Sequence, residues 1–451
     1  MNKRTPEPER AWLWDSPQLR QALAARKWGR VLELLQDATG MGSLDFATVL
    51  DWDYAKLNRA KNGKSQVLFD VRELVAMADN LDMPRWVLIP VLLGELHETD
   101  GVSGVELTRR QAGGLGLGVA AGLAAGLGLG AAEVPAKVDA AHVTYFQAGL
   151  DELIVGDQQW GGGALIQTGT RLYHRAQRML AESDYTEAIA YDFVTVTGQI
   201  ASHLGWLHTD MGDQDGALRH YTVGLSLGEQ VGNDSLVVTA LQSQAARYTH
   251  LARTGRGQGY ARQALLVSQR ASELARREPH PALHALLASR VAEACSALGD
   301  ASGFASAMTA ARRELDREPR QETPLWLRFV NPSDLAMTEA LGRWDLGEPM
   351  AAAEVSASGL DADLSPRNAA SYRSIHATAL AAAGDLSTAL SEGLKVLPAL
   401  GTGRGKINSP RIISRFRTVR DAAEGQRGDA PEFREMFDRV TTAMAASTIA
   451  V

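Results

Sequence analysis

Four cations lie close together near the amino terminus: Lys56, Arg59, Lys61 and Lys64. Between Asp53 and Lys64 they meet a single anion, Asp53 itself, so the stretch carries a local +3 on a chain whose formal charge is −7. Solvated helix faces usually mix their signs more evenly. A patch of this kind suits phosphate oxygens, and a guanidinium such as Arg59 has the geometry to pair with guanine through two hydrogen bonds. The other candidate chemistries dissolve on inspection. His280 and His284 stand four apart without a third ligand, and Pro281 between them marks a helix start. His97-Glu98 lacks the second histidine of a zinc protease. The run from Gly401 to Lys406 resembles a phosphate loop, but Leu400 occupies the first glycine position and Ile407 the hydroxyl position. Cys295 sits among Ala292, Ala297 and Leu298 as a core residue. No catalytic constellation, metal set or cofactor motif emerges, so the expectation is a protein that is not an enzyme.

The chain that must position these groups has 451 residues, 45% of them apolar and 22% charged, with one cysteine. Disorder throughout is excluded, as are an internal disulfide framework and multi-cysteine zinc sites. The opening MNKRTPEPERAWLW lacks the apolar run of a signal peptide, which points to the cytoplasm. Residues 112–132 are free of charge and follow Arg109-Arg110, a pattern long enough for a bilayer. Eight of those 21 residues are glycine and no aromatic anchors flank them, so a linker with no membrane role is expected.

From about residue 138 the sequence is rich in alanine and leucine at helical spacing. Breaks recur at Gly212, Gly255, Gly299, Gly347 and Gly384, at separations of 43, 44, 48 and 37 residues. Small residues follow at spacings of three and four: Ala217, Tyr221 and Gly224; Ala264, Ser268 and Ala271; Ala389, Gly393 and Val396. Such spacing marks one helix face where two helices approach closely. Five or six helical hairpins fit between about 140 and 445, interrupted by loops at 319–332 and 401–427.

The amino-terminal segment reads as four helices. The first ends at Thr39-Gly40. Ser43 caps a second whose apolar positions are Leu44, Phe46, Ala47, Val49 and Leu50, Asp53 caps a third from Tyr54, and a fourth spans Val71 to Leu81. SLDFATVLDWDYAKLNRAKNGKSQ followed by VRELVAMADNLDMP resembles the lambda-repressor-like helix-turn-helix of the Xre family, with Ala47 at the helix crossing and Leu57 as the buried aliphatic of the recognition helix. Two positions depart from the family: Asp51 stands where the turn residue is usually glycine, and Ser43 where glutamine commonly starts the second helix. The resemblance implies that Tyr54, Ala55 and Arg59 face bases of double-stranded DNA. It also implies that Lys56, Lys61, Asn62 and Lys64 meet the backbone, and Ser43 is a further expected DNA-binding residue.

Residues 201–225, ASHLGWLHTDMGDQDGALRHYTVGL, resemble a tetratricopeptide repeat. Head and repeats together are similar to the peptide-responsive RRNPP group and to actinobacterial regulators of like design. The expected organisation is all-α: an extension (1–25), a DNA-binding helix-turn-helix (26–95), a linker (96–137) and a right-handed repeat solenoid (138–445) for sensing and dimerisation. What the resemblance implies is a cytoplasmic, homodimeric transcription regulator, of the kind used in quorum sensing, that answers to a peptide or small-molecule effector. Inward positions of the first helices, Gln199, Ser202, Trp206, Thr209 and Asp210 with Gln244 and Arg247, are the expected effector site, because their amide, carboxylate, guanidinium and indole groups suit a peptide or polar metabolite. The alternatives are a protein-interaction scaffold and an adaptor without sequence-specific DNA binding.

Overall fold

A computed structural model of the chain describes residues 27–62 and 134–449, apart from 320, 361, 362 and 404, together with residues 16, 18, 19, 22, 77, 80 and 81. Lys64, most of the helix expected at Val71 to Leu81, the 112–132 segment and most of the 1–25 and 96–137 stretches lie outside the described residues. The fold is all-α and of helical-repeat type. Among the described residues there is no strand, only isolated bridges at Lys137 with Asp184 and at Leu400 with Ile407. No described helix is long and apolar enough to cross a membrane. The described residues group into two compact units, one from within 1–149 and 174–190, the other from 150–173 and 191–451.

In the first unit, α1 (Trp28–Thr39), α2 (Ser43–Val49) and α3 (Tyr54–Lys61) surround one apolar core. Val31, Leu32, Leu35, Phe46, Ala47, Leu50, Leu57 and Ala60 are all buried in it. Two readings of α2 are corrected: Leu44 is exposed and Val49 half-buried, and the N-cap is Gly42, with Ser43 the first helical residue. Gly40 ends α1 in the left-handed conformation, and the Asp53 carboxylate accepts from the Lys56 amide to cap α3. Between α2 and α3 the chain turns through Asp51 at φ 57°, the one non-glycine residue with positive φ among those described. This turn needs a left-handed residue, a conformation that favours glycine, and aspartate is among the few others that accept it.

The rest of the chain runs as successive hairpins: α4 (Ala140–Trp160) and α5 (Gly162–Glu182), α6 (Glu187–Met211) and α7 (Gln214–Val231), α8 (Asp234–Leu251) and α9 (Gln258–Leu274). They continue as α10 (Pro281–Leu298) and α11 (Ala301–Leu315), α12 (Pro332–Asp345) and α13 (Pro349–Ser358), and α14 (Pro366–Ala382) and α15 (Leu386–Val396). Every break read from the sequence is a positive-φ glycine: Gly212, Gly255, Gly299, Gly347 and Gly384. At four of them the next amide donates back across the helix end: Asp213 to the His208 carbonyl, Asp300 to Cys295, Glu348 to Arg343 and Asp385 to Leu380. At three, the same acid then caps the following helix, on the amides of Gly216, Gly303 and Thr388. A Gly-Asp pair therefore ends one helix and starts the next, and this is why the pair punctuates the sequence.

The small residues behind each break are buried as their spacing implies, Ala217, Ala264, Ser268, Ala271 and Ala389 completely. Residues 321–331 form a loop with a short turn of helix at Leu325–Leu327, and α12 begins at Pro332. The stretch 401–427 corrects the expectation of a plain loop. Past its glycines, Ser409 caps α16 (Pro410–Arg415), and α17 (Arg417–Ala422) follows directly. Ile412, Ile413, Phe416 and Val419 then share a core with Phe433 and Phe437 of α18 (Ala430–Ile449). Glycine density hid two short helices that tertiary packing stabilises.

Within this second unit the last elements return to the first turn. The Asn408 amide donates to the Trp160 carbonyl at 2.7 Å, and the Gly163 amide donates to the Asn408 carbonyl at 2.9 Å. In the best-formed hairpin, α6 meets α7 at Gly205, where a Cβ would lie 2.6 Å from the Tyr221 ring. Substituting Gly205→Val should cost about 1–3 kcal/mol by overpacking that seam. Urea denaturation should show a lower midpoint with an unchanged slope; an unchanged midpoint would mean the seam is loose.

Candidate functional site

Two groups of residues carry chemistry, one in each unit. On α3 the positions Tyr54, Ala55, Asn58, Arg59 and Asn62 are all exposed, while Leu57 and Ala60 face the core. The spacing i, i+1, i+4, i+5, i+8 makes these five one solvent face. Arg59 forms no hydrogen bond or ion pair with any other described residue, so its guanidinium is uncommitted. Asn62 donates its side-chain amide to Asn58, both to the carbonyl and to the side-chain oxygen. Asn58 escaped the sequence reading, although its position one turn beyond Tyr54 places it on the same face.

The remaining head candidates are more engaged. Lys56 lies over the Trp52 ring at 4.9 Å. Lys61 donates to the Gln36 side chain, and Gln36 in turn donates to the Met41 carbonyl at 2.9 Å and to Ser43 Oγ at 3.2 Å. Ser43 and Lys61 thus help to tie α1, α2 and α3 together. Any contact with a partner would be made by their remaining polar capacity.

In the repeat unit the first helices of the hairpins bring charged side chains together across long stretches of sequence. Asp210, at the end of α6, is fully buried. Its carboxylate accepts from the Gly162 amide at 3.0 Å, Arg367 at 2.8 Å, Ser409 at 2.9 Å and Arg411 at 3.0 Å. Burial alone would push its pKa up. The Arg367 and Arg411 charges, then the Gly162 amide and Ser409 hydroxyl, outweigh burial and hold the carboxyl well below its ordinary range. Trp206, one turn earlier, donates Nε1–H to Asp157 at 2.8 Å, and its ring meets the guanidinium groups of Arg367 and Arg411 at 5.0 and 5.1 Å.

Further along, Arg253 pairs with Asp345 at 2.8 Å and with Glu293 at 3.7 Å, and Glu293 also holds Arg290 at 2.7 Å. Glu339 takes both Arg343 and Arg312. Asp334, in the same interior, accepts from the Tyr372 hydroxyl at 3.2 Å. Burial dominates there and, with Glu293 nearby, outweighs Arg290 and the Tyr372 hydrogen bond to push the Asp334 carboxyl up to about 6.

The expected effector residues divide accordingly. Trp206, Asp210 and Arg247 belong to this interior, Arg247 donating Nε–H to the Gln214 carbonyl at 2.8 Å. Gln244 is buried one turn before Arg247, and Gln199 is half-buried. Ser202 and Thr209 are elsewhere: they sit in the seam between α6 and α7. Ser202 Oγ would be 2.2 Å from a Cβ on Gly224, and Thr209 hydrogen-bonds the Tyr221 hydroxyl at 3.0 Å. Residues 202 and 209 are seven apart, two helical turns, and so share the face that packs on α7. The interior partners Arg367 and Arg411 were not found from the sequence, because they lie far beyond the hairpin that carries Asp210. Among the described residues no cluster of potential metal ligands exists.

Comparison with protein-family models finds no match, and comparison with curated protein sequences finds none either.

Two pH-linked expectations follow. Asp210→Asn leaves the buried Arg367 and the partly covered Arg411 guanidinium groups short of a charge and should cost about 3–5 kcal/mol near neutral pH. Because the native carboxyl is depressed, that difference should hold above about pH 4 and shrink as pH falls below it. Denaturation of both proteins at pH 7 and pH 3 checks this; equal stability at pH 7 would contradict it. Asp334 has the opposite sign. Its raised native pKa favours folding at acid pH, and that contribution disappears as pH rises through about 6. Asp334→Asn should therefore be more stable than the natural protein at pH 8 and differ little from it at pH 4, as read by thermal unfolding.

Proposed function

We propose that the protein is a DNA-binding transcription regulator whose helical-repeat unit senses a small ligand or peptide. The observation that carries the reading is the exposed face of α3. It presents Tyr54, Asn58, Arg59 and Asn62 together, with Arg59 free of any described partner, on a helix anchored by Leu57 and Ala60 and capped by Asp53. Arginine pairs with guanine through two hydrogen bonds and asparagine pairs similarly with adenine, so this face has groups able to read base edges in a major groove. Residues at the far end of the helix, Lys61 and Asn62, and Lys64 beyond the described stretch, have the chemistry for phosphate contacts.

One such helix offers few base contacts, so a specific site calls for two heads on half-sites about one helical turn apart, and the active form is a homodimer. The sensing half rests on the charged interior of the repeats. A ligand there alters DNA affinity only through its differential affinity for the two arrangements of the heads.

Retention of fragments of the source genome by the purified chain, measured at several salt concentrations, tests the DNA half. Arg59→Ala should cost about 1–3 kcal/mol and relax base preference, while Lys64→Ala should weaken all sequences alike and lower the salt slope by about one. Absence of salt-dependent retention on every fragment would remove the regulator reading and favour an interaction scaffold.

A further inference from the structure

One end of the repeat interior carries more positive charge than its own carboxylates balance. Arg411 and Arg415 lie four residues apart on α16 and therefore share a face. Arg411 uses Nε for Asp210, and its terminal nitrogens make no hydrogen bond with the described residues. Arg415 Nη1 donates to the Ser371 hydroxyl at 2.8 Å and reaches the Ser371 carbonyl at 3.4 Å, and it pairs with no carboxylate among the described residues. On α8, Arg247 spends Nε on a backbone carbonyl and has no described ion-pair partner. The His250 ring, one turn further on, makes no hydrogen bond with the described residues.

These four groups are electrostatic neighbours. Burial and the charges of Arg411, Arg415, Arg253 and Arg247, in that order, hold the His250 imidazole down at about 4. Arg415 is itself pushed well below the usual guanidinium range by burial and by Arg411 and Arg367, with Asp210 only partly offsetting them. Guanidinium groups do not give up their proton in proteins, so this destabilisation persists until an anion relieves it. Asp210 already accepts from four donors, and Asp157, the other carboxylate that acts on Arg411, accepts from the Trp206 indole. Arg415, Arg411 and His250 are only partly covered and keep accessible surface. Their free N–H groups therefore remain open to an incoming ligand.

We infer that Arg247, Arg411, Arg415 and His250 form an anion-binding site that takes the carboxylate or phosphate group of a small ligand. The fork of Arg415 and the two terminal nitrogens of Arg411 supply charge-assisted donors of the type that binds such groups through paired hydrogen bonds. The Trp206 ring, 5.1 Å from the Arg411 guanidinium, is the apolar surface beside these donors. The inference deepens the sensing half of the proposed function and rests on it, but it is independent of DNA binding. Its test is therefore run without DNA.

The full chain is titrated calorimetrically with inorganic phosphate and with citrate, and its thermal midpoint is followed with each against chloride at matched ionic strength. Saturable binding and a raised midpoint with either probe are expected, and whichever probe is stronger tells phosphate from carboxylate. Arg415→Gln and Arg247→Gln should each weaken binding at least tenfold. Arg415→Gln should also raise the midpoint in chloride alone, because it removes an unpaired charge, an effect that a purely structural arginine would reverse. Arg270→Gln, on the exposed face of α9, is the control and should change nothing. No saturable binding of either probe, or equal binding by Arg415→Gln, would overturn the site; DNA retention would stand or fall separately.

Discussion

A single buried carboxylate organises the repeat unit. Asp210 leaves water completely, and four donors from well-separated segments offset that cost: the amide at the start of α5, Arg367 on α14, and Ser409 and Arg411 at α16. No other described carboxylate gathers partners from so far apart in sequence. Buried ion pairs of this kind add little net stability relative to an apolar core, yet breaking one is costly, so they fix which partners must meet. Together with the backbone bonds of Asn408 to Trp160 and Gly163, the Asp210 cluster specifies that the carboxy-terminal helices return to the first hairpin.

The rest of the interior follows from that closure. Once the first helices of the hairpins face one another, their polar residues meet across the array. Arg253, just past the end of α8, finds Asp345 and Glu293, and Tyr372 finds Asp334. Away from Asp210 most cations have a carboxylate, but at the α8 and α16 end Arg247 and Arg415 have none among the described residues. An array that fills its own interior with charge pairs differs from an empty groove. Much of the surface expected to receive a ligand is occupied by the protein's own side chains, and the unbalanced end is where binding chemistry remains.

Local features were legible in the sequence because local physics sets them. The Gly-Asp breaks were visible because one residue must be left-handed and the next must cap. The buried faces of α3 and α7 were visible because helical spacing reveals them, and even the departure at Asp51 marked a real backbone constraint. The candidate site was legible only in part. Trp206, Asp210 and Arg247 stood out as polar or aromatic groups on first helices, but Arg367, Arg411 and Arg415 are 157 or more residues from Asp210 in the sequence, with no periodic signal linking them. Ser202 and Thr209 were misplaced because a helix has two occupied faces here, one toward its hairpin partner and one toward the interior. The two short helices after Gly401 were hidden by glycines that say nothing about the core beyond them.

The central claim is that the Asp210 carboxylate holds the carboxy-terminal helices against the first hairpin turn. Amide hydrogen exchange in the natural chain and in Asp210→Ala tests it most directly. In the natural chain, amides of residues 162–163 and 410–422 should exchange as slowly as those of α10. In Asp210→Ala both segments should open together by local unfolding while α10 keeps its protection. Unchanged protection of 410–422 in Asp210→Ala would contradict the account.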